Sequence, residues 1–237
     1  MNELMLFVSV ALIYGTVLLG YMLFGKSGLF ALSAVASIFA NIEVLILINA
    51  FGMEQTLGNV LFASTFLMTD ILSECEGKKA ANKAVYIGLF GTLFFLALSA
   101  GWLIFTPSDA DTVMPAFRQI FTATPRIVGA SLAVYVVSQF FDVWLYHKWW
   151  EFTEKKSGDK KRFLWLRNNG STLVSQLINS LLFTTLAFAG TYDFVTLMSI
   201  FWSGYIIFIF TSLLDTPILY LARKYKTDNR QLLNAQQ

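Results

Sequence analysis

The sequence is short of the residues from which soluble enzymes and metal sites are built. Charged residues make up 14% of the 237, against roughly 25% in a soluble domain. With 56% hydrophobic residues and a mean hydropathy of +0.61, that shortfall excludes an ordinary water-soluble globule. The lone cysteine, Cys75, excludes an internal disulfide. With the lone histidine, His147, it leaves no Cys/His set for a metal. Neither a G-x-S-x-G elbow nor an H-E-x-x-H helix is present, so the chain reads as a non-enzyme without metal or cofactor. It is also read as lacking a phosphate-binding loop. The first apolar run has no basic lead and no small-residue cleavage site behind it, which makes it a retained helix rather than a signal peptide.

What the chain has instead is long apolar runs. About 20 such residues cross a bilayer core, and seven spans are expected: 4–24, 29–51, 57–74, 84–105, 126–148, 171–189 and 195–222. The last is long enough to be tilted, or broken at Pro217. The expectation is an all-α polytopic membrane protein forming one transmembrane unit over residues 1–237. Lys and Arg fall on one side of that arrangement. Lys26 follows the first span, and Lys78, Lys79 and Lys83 follow the third. Lys155, Lys156, Lys160, Lys161, Arg162 and Arg167 occupy a basic loop over 149–170, and Arg223, Lys224, Lys226 and Arg230 follow the seventh span. The other side holds Glu3, Glu54, Asp109, Asp111 and Asp193, with Arg118 and Arg126. The N-terminus is therefore expected outside and the C-terminus in the cytoplasm. Trp144, Trp149, Trp150 and Trp165 cluster near the same basic side, as interfacial indoles do. In the long outer loop, "VMPAFRQIF" reads as a short interfacial helix, or alternatively as a lid.

The informative residues are polar groups inside the apolar runs, because an ionisable group in a span is costly and usually faces a bundle interior or a water-filled path. In the fifth span Ser131, Tyr135, Ser138 and Asp142 lie on one helical face, flanked by Gln139. In the sixth, Thr172, Ser175, Gln176 and Asn179 do the same. "SQFFD" at 138–142 and "SQLIN" at 175–179 are two versions of one pattern. Asp70 and Glu74 sit one turn apart in the third span, with Glu76 at its end. Asn41 and Glu43 lie in the second span and Asp215 in the seventh. Ser, Thr, Asn and Gln also serve as interhelical glue, at about 0.6 kcal/mol each. The set as a whole exceeds that need, and no buried Lys balances its carboxylates. Such a lining suits a flat, donor-rich solute. A guanine-like edge offers adjacent N–H groups to one carboxylate, and aromatic rings stack on a heterocycle.

"TDILSECEGKKAA", "RIVGASLAVYVVSQFFD", "WLRNNGSTLVSQL" and "DTPILYLARK", in this order and spacing, resemble the queuosine precursor transporter family, also called the YhhQ or VUT family. The resemblance covers roughly Asn41 to Lys224. It implies uptake, across the cytoplasmic (inner) membrane, of 7-deazaguanines such as 7-cyano-7-deazaguanine, its aminomethyl relative or queuine, which feed queuosine modification of tRNA. Three departures stand out. Glu76 replaces a usual aromatic residue, Asn179 replaces a usual Asp, and no Lys is found in the last span. The expected substrate-binding residues are Asp70, Glu74, Gln139, Asp142, Gln176, Asn179, Ser138, Tyr135, Glu43 and Arg126, with Arg126 gating the outer side. The expected partners are the 7-deazaguanine base and the lipid bilayer, with a homo-oligomer open and no nucleic acid. The alternative is a substrate-capture subunit of an energy-coupling-factor-type uptake system, whose ATPase module would be another chain and could dock on "ALSAVAS" at 31–37.

Overall fold

The computed structural model describes residues 1–122, 125–159 and 162–235. Lys160 and Lys161 of the basic loop, and the side chains of Pro125, Arg230 and residues 232–235, lie outside the described residues. The elements are α1 (Asn2–Phe24), α2 (Lys26–Glu43), β1 (Leu47–Ala50), β2 (Met53–Thr56), α3 (Gly58–Cys75), α4 (Lys78–Trp102), α5 (Met114–Phe121), α6 (Pro125–Ser157), α7 (Leu164–Phe188) and α8 (Phe194–Ala235). Five of these, α1, α4, α6, α7 and α8, are long and apolar enough to cross a membrane. The chain is a polytopic helical membrane protein. The expected count of seven spans is not reached on length and composition, because α2 and α3 have 18 residues each and carry polar groups.

Helix α3 is the axis of the bundle. From Ala63 to Ser73 every residue is buried, with α1, α2, α4, α6 and α8 packed around it. The outer helices turn large apolar side chains outward, Leu12 at 69% and Phe90 at 71% exposure. A lipid-facing belt requires this, since lipid tails are as apolar as Leu. The "ALSAVAS" stretch packs against α4: Ser33, Ala36 and Ser37 are buried, and Gly91 lies close over Ala34.

Four expectations are corrected. The run 29–51 is not one helix. Helix α2 stops at Glu43 and the chain enters an antiparallel hairpin pairing Leu47 with Thr56 and Ala50 with Met53. Phe51 (φ 55°) and Gly52 (φ 72°) form its two-residue turn, the left-handed pair that matches strand twist. The hairpin is tied to α1: Asn2 donates to the Asn49 carbonyl (2.8 Å), and the Phe51 N–H donates to the Glu3 carboxylate (3.2 Å). An apolar run without periodicity does not distinguish strand from helix. The basic loop is also shorter than 149–170. Helix α6 continues to Ser157 and α7 begins at Leu164, which puts Arg167 inside a helix with no exposed surface. Pro217 lies within the continuous α8 rather than breaking it.

The fourth correction concerns the phosphate-binding loop. "GYMLFGKS", Gly20–Ser27, matches its letters. Structurally it is the end of α1 and the start of α2, joined at Gly25. No strand precedes it, and the N–H groups of residues 20–24 are spent inside a helix, so no phosphate cradle forms there. The stretch "VMPAFRQIF" does hold a short helix, α5.

Candidate functional site

At the end of the bundle that carries the hairpin, a cavity of about 400 Å³ opens between α2, the hairpin, α3, α6, α7 and α8. Its walls are aromatic. Phe62 touches both Tyr135 and Phe208 with ring centroids 6.2 Å apart, and Phe188 bridges Phe183 and Tyr192 at 5.7 Å. Tyr135 leans over Gly88 of α4, where any Cβ would collide with its hydroxyl, and that hydroxyl meets Ser37. Polar groups converge on the same space. Gln55 of β2 is 4% exposed, yet neither its amide nitrogen nor its oxygen has a hydrogen-bond partner. The Asn41 carbonyl and the Ser180 hydroxyl are likewise buried and unpartnered. Buried polar groups are normally satisfied, so four orphaned atoms around one cavity mark a place for a ligand with both donors and acceptors.

Beneath the cavity the bundle closes into a polar core. Ser138 donates to Asn179 (3.4 Å). Gln139 is fixed by α3, accepting from Thr69 at 3.3 Å and donating to Thr65. One turn further along, Thr172 donates to Asp70 (3.1 Å) and Ser175 to Asp142 (2.7 Å). Thr172 and Ser175 are one turn apart on α7, so these two carboxyls lie side by side. Asp215 of α8 lies close enough to act on both, with Tyr14 of α1 at its side. Gln176 is buried in this layer and its carbonyl has no donor.

The opposite, Lys- and Arg-rich end is sealed by an ion pair. Arg167 grips Glu74 in a two-pronged contact, Nε to Oε2 at 2.9 Å and Nη2 to Oε1 at 2.6 Å. Tyr146 donates to the same carboxylate (2.8 Å), and Arg223 adds a contact at 3.4 Å. Trp150 stacks under the guanidinium at 4.4 Å. A smaller cavity of about 300 Å³ lies against this seal at the Lys- and Arg-rich end, lined by Ser73, Glu74, His147 and Trp150 among others. Glu76 is clamped by Tyr21 (2.9 Å) and Lys226 (2.6 Å) rather than simply solvated.

Of the ten expected site residues, Tyr135 and Asn179 line the large cavity, and Ser138 bonds to Asn179 at its floor. Gln139, Asp142, Gln176 and Asp70 form the closed core, and Glu74 belongs to the seal. Glu43 ends α2 beside the hairpin rather than sitting mid-span. Arg126 is exposed and donates to the Leu186 and Ala189 carbonyls at 2.8 and 2.6 Å. It caps the C-terminal end of α7, where a cation suits the helix dipole, and does not pair with a loop carboxylate. Sequence reasoning missed Gln55 and Arg167. It also missed the balancing base: Glu74 has a buried guanidinium, although no buried Lys was found.

A buried polar core between two cavities is an arrangement that suits a transport protein, and the comparisons point the same way. The profile of a family described as "Putative vitamin uptake transporter" matches residues 56–222. A protein of Bacillus subtilis (strain 168) named "Probable queuosine precursor transporter" is 38% identical over 208 residues, covering 88% of this chain and 89% of that protein. No solved structure matches. The chain belongs to this vitamin-uptake (VUT) transporter family, the one its motifs resemble.

Proposed function

We propose that the protein imports queuosine precursors, flat 7-deazaguanine bases, across the cytoplasmic membrane as a stand-alone carrier. The observation that carries this reading is the aromatic cavity with its orphaned amide, carbonyl and hydroxyl groups. A 7-deazaguanine presents a lactam and an amino group in one plane, so it offers donors and acceptors together, and its faces suit Phe62 and Tyr135. Family membership and the relative's name support the same solute. In this reading α2 and α3 also traverse the bilayer, giving seven crossings. The hairpin end faces outside and the Arg167 seal faces the cytoplasm, as the positive-inside rule asks. The base enters the outer cavity, and the polar core with Asp70, Gln139, Asp142 and Gln176 lines the path that opens when the Glu74 seal parts.

The test is tRNA queuosine content in a host lacking its own transporter and de novo synthesis. That host expresses this chain alone, carries matched downstream enzymes, and is fed each base separately at low concentration. Boronate-gel mobility should show modification restored by at least one 7-deazaguanine. No restoration by any base, with the protein confirmed in the membrane, would count against the stand-alone carrier.

A further inference from the structure

We propose that the Asp70–Asp142 pair is a proton-binding site that couples solute uptake to a proton gradient. The proposal rests on the transport reading above. Both side chains are wholly buried, one on α3 and one on α6. Thr172 and Ser175 of α7 satisfy one oxygen of each. The remaining oxygens, Asp70 Oδ1 and Asp142 Oδ2, have no protein donor, and Thr172 and Ser175, one turn apart on α7, hold the two carboxyls beside each other. An ionised carboxylate only accepts, so this contact needs a proton on one of the two. Both ionised would place like charges in contact in a medium that screens them poorly.

The surroundings supply no substitute for that proton. Asp215 of α8, flanked by Tyr14 of α1, adds a third carboxyl. Tyr146 of α6 gives its hydrogen to Glu74, and Arg167 of α7 and Arg223 of α8 are engaged by Glu74. Helix α2 faces α3 with Ser33, which donates to its own Leu29 carbonyl and to the Met68 sulfur. Among the described residues no salt bridge reaches either member of the pair. Among the described residues no group of three or more His, Cys, Asp or Glu is placed to hold a metal ion.

Position gives the pair its role. At 1.5 Å per residue, Asp142 lies ~10 Å below the cavity residue Tyr135 and ~6 Å above Tyr146 of the seal. Loaded, the pair is one carboxyl donating to one carboxylate, and it holds α3 against α6. Releasing its proton leaves two carboxylates in contact, which the packing does not tolerate, so the helices part. Proton release is thereby tied to the rearrangement that opens the inner side.

The experiment uses the full chain in liposomes with labelled 7-cyano-7-deazaguanine and a pH dye inside. An inward proton gradient should raise accumulation several-fold. A protonophore should cancel the gain, and adding the base should acidify the lumen. Asp70→Asn and Asp142→Asn should each abolish the gradient-driven part, whereas Asp142→Glu should retain it with a shifted pH profile. Accumulation that follows a sodium gradient, or ignores both gradients while counterflow proceeds, overturns the proposal. If the wild type shows no counterflow, the substrate reading has failed instead. The pair is then judged without solute, by infrared difference spectroscopy on the wild type. A protonated-carboxyl band that disappears in Asp142→Asn supports the proton site, and a wild type without such a band overturns it.

Discussion

Asp70 and Glu74 stand one turn apart on the same helix, both almost without exposed surface, and they are treated in opposite ways. Glu74 receives a guanidinium in two-pronged geometry, a tyrosine hydroxyl and a second arginine. Asp70 receives a threonine hydroxyl and another carboxyl. Burying a charge is tolerable when it is paired and hydrogen-bonded, and Glu74 meets that condition completely. Asp70 does not. Within one turn, α3 passes from a closed electrostatic joint to a site that is incomplete on its own. The first holds the molecule together, and the second is where something else can bind.

Breaking the joint should have the largest effect. Arg167→Met strips the two-pronged guanidinium from buried Glu74, leaving it only Tyr146 and the longer Arg223 contact, and should cost up to ~3–5 kcal/mol, read as a lowered melting temperature in detergent. Removing both partners, Glu74→Gln with Arg167→Met, should recover most of that loss. The incomplete site should respond the other way. Asp142→Asn should reduce uptake by roughly tenfold or more without lowering the melting temperature, because the new amide N–H can donate to Asp70. A melting temperature that falls as far as in Arg167→Met would erase the distinction between the two carboxylates. Further up the bundle, Gln55→Ala should weaken binding of a 7-deazaguanine by roughly tenfold, measured by fluorescence titration, with stability nearly unchanged because the Gln55 side-chain amide has no hydrogen-bond partner within the protein. The smallest effect belongs to Arg126→Ala. Losing two exposed contacts to the end of α7 should cost ~1 kcal/mol in melting experiments and leave uptake nearly intact, where a gating arginine would give the reverse pattern.

These contrasts also show where sequence reasoning reaches. The stripes on α6 and α7 were readable because polar residues at helical spacing inside apolar runs can face only one interior, and Asp142, Ser175, Gln139 and Asn179 meet there or nearby. Arg167 was hidden by its neighbours. In a window dense with Lys and Arg, composition does not tell which cation is solvated and which enters a helix to meet Glu74, 93 residues away in sequence. Gln55 was hidden because it falls in the short connection expected between the runs 29–51 and 57–74, the first of which has a length that fits a crossing helix. The Phe51–Gly52 turn that makes a hairpin of it puts a non-glycine residue in a left-handed conformation, which few sequences announce. Family motifs identified the family but did not assign Glu74 to a seal rather than to a solute.

The Glu74–Arg167 joint also imposes an order on biogenesis. Chains emerge at ~5–20 residues per second, so the carboxylate on α3 waits on the order of 5–20 s before its guanidinium partner has been made. During that interval α3 is a helix with an uncompensated charge, and it has reason to stay near the interface or in the insertion machinery. Final seating of the central helix therefore belongs to the end of synthesis, once α7 has arrived. A ribosome that stalls between α6 and α7 would leave a chain whose axis has not yet settled, a natural substrate for membrane quality control.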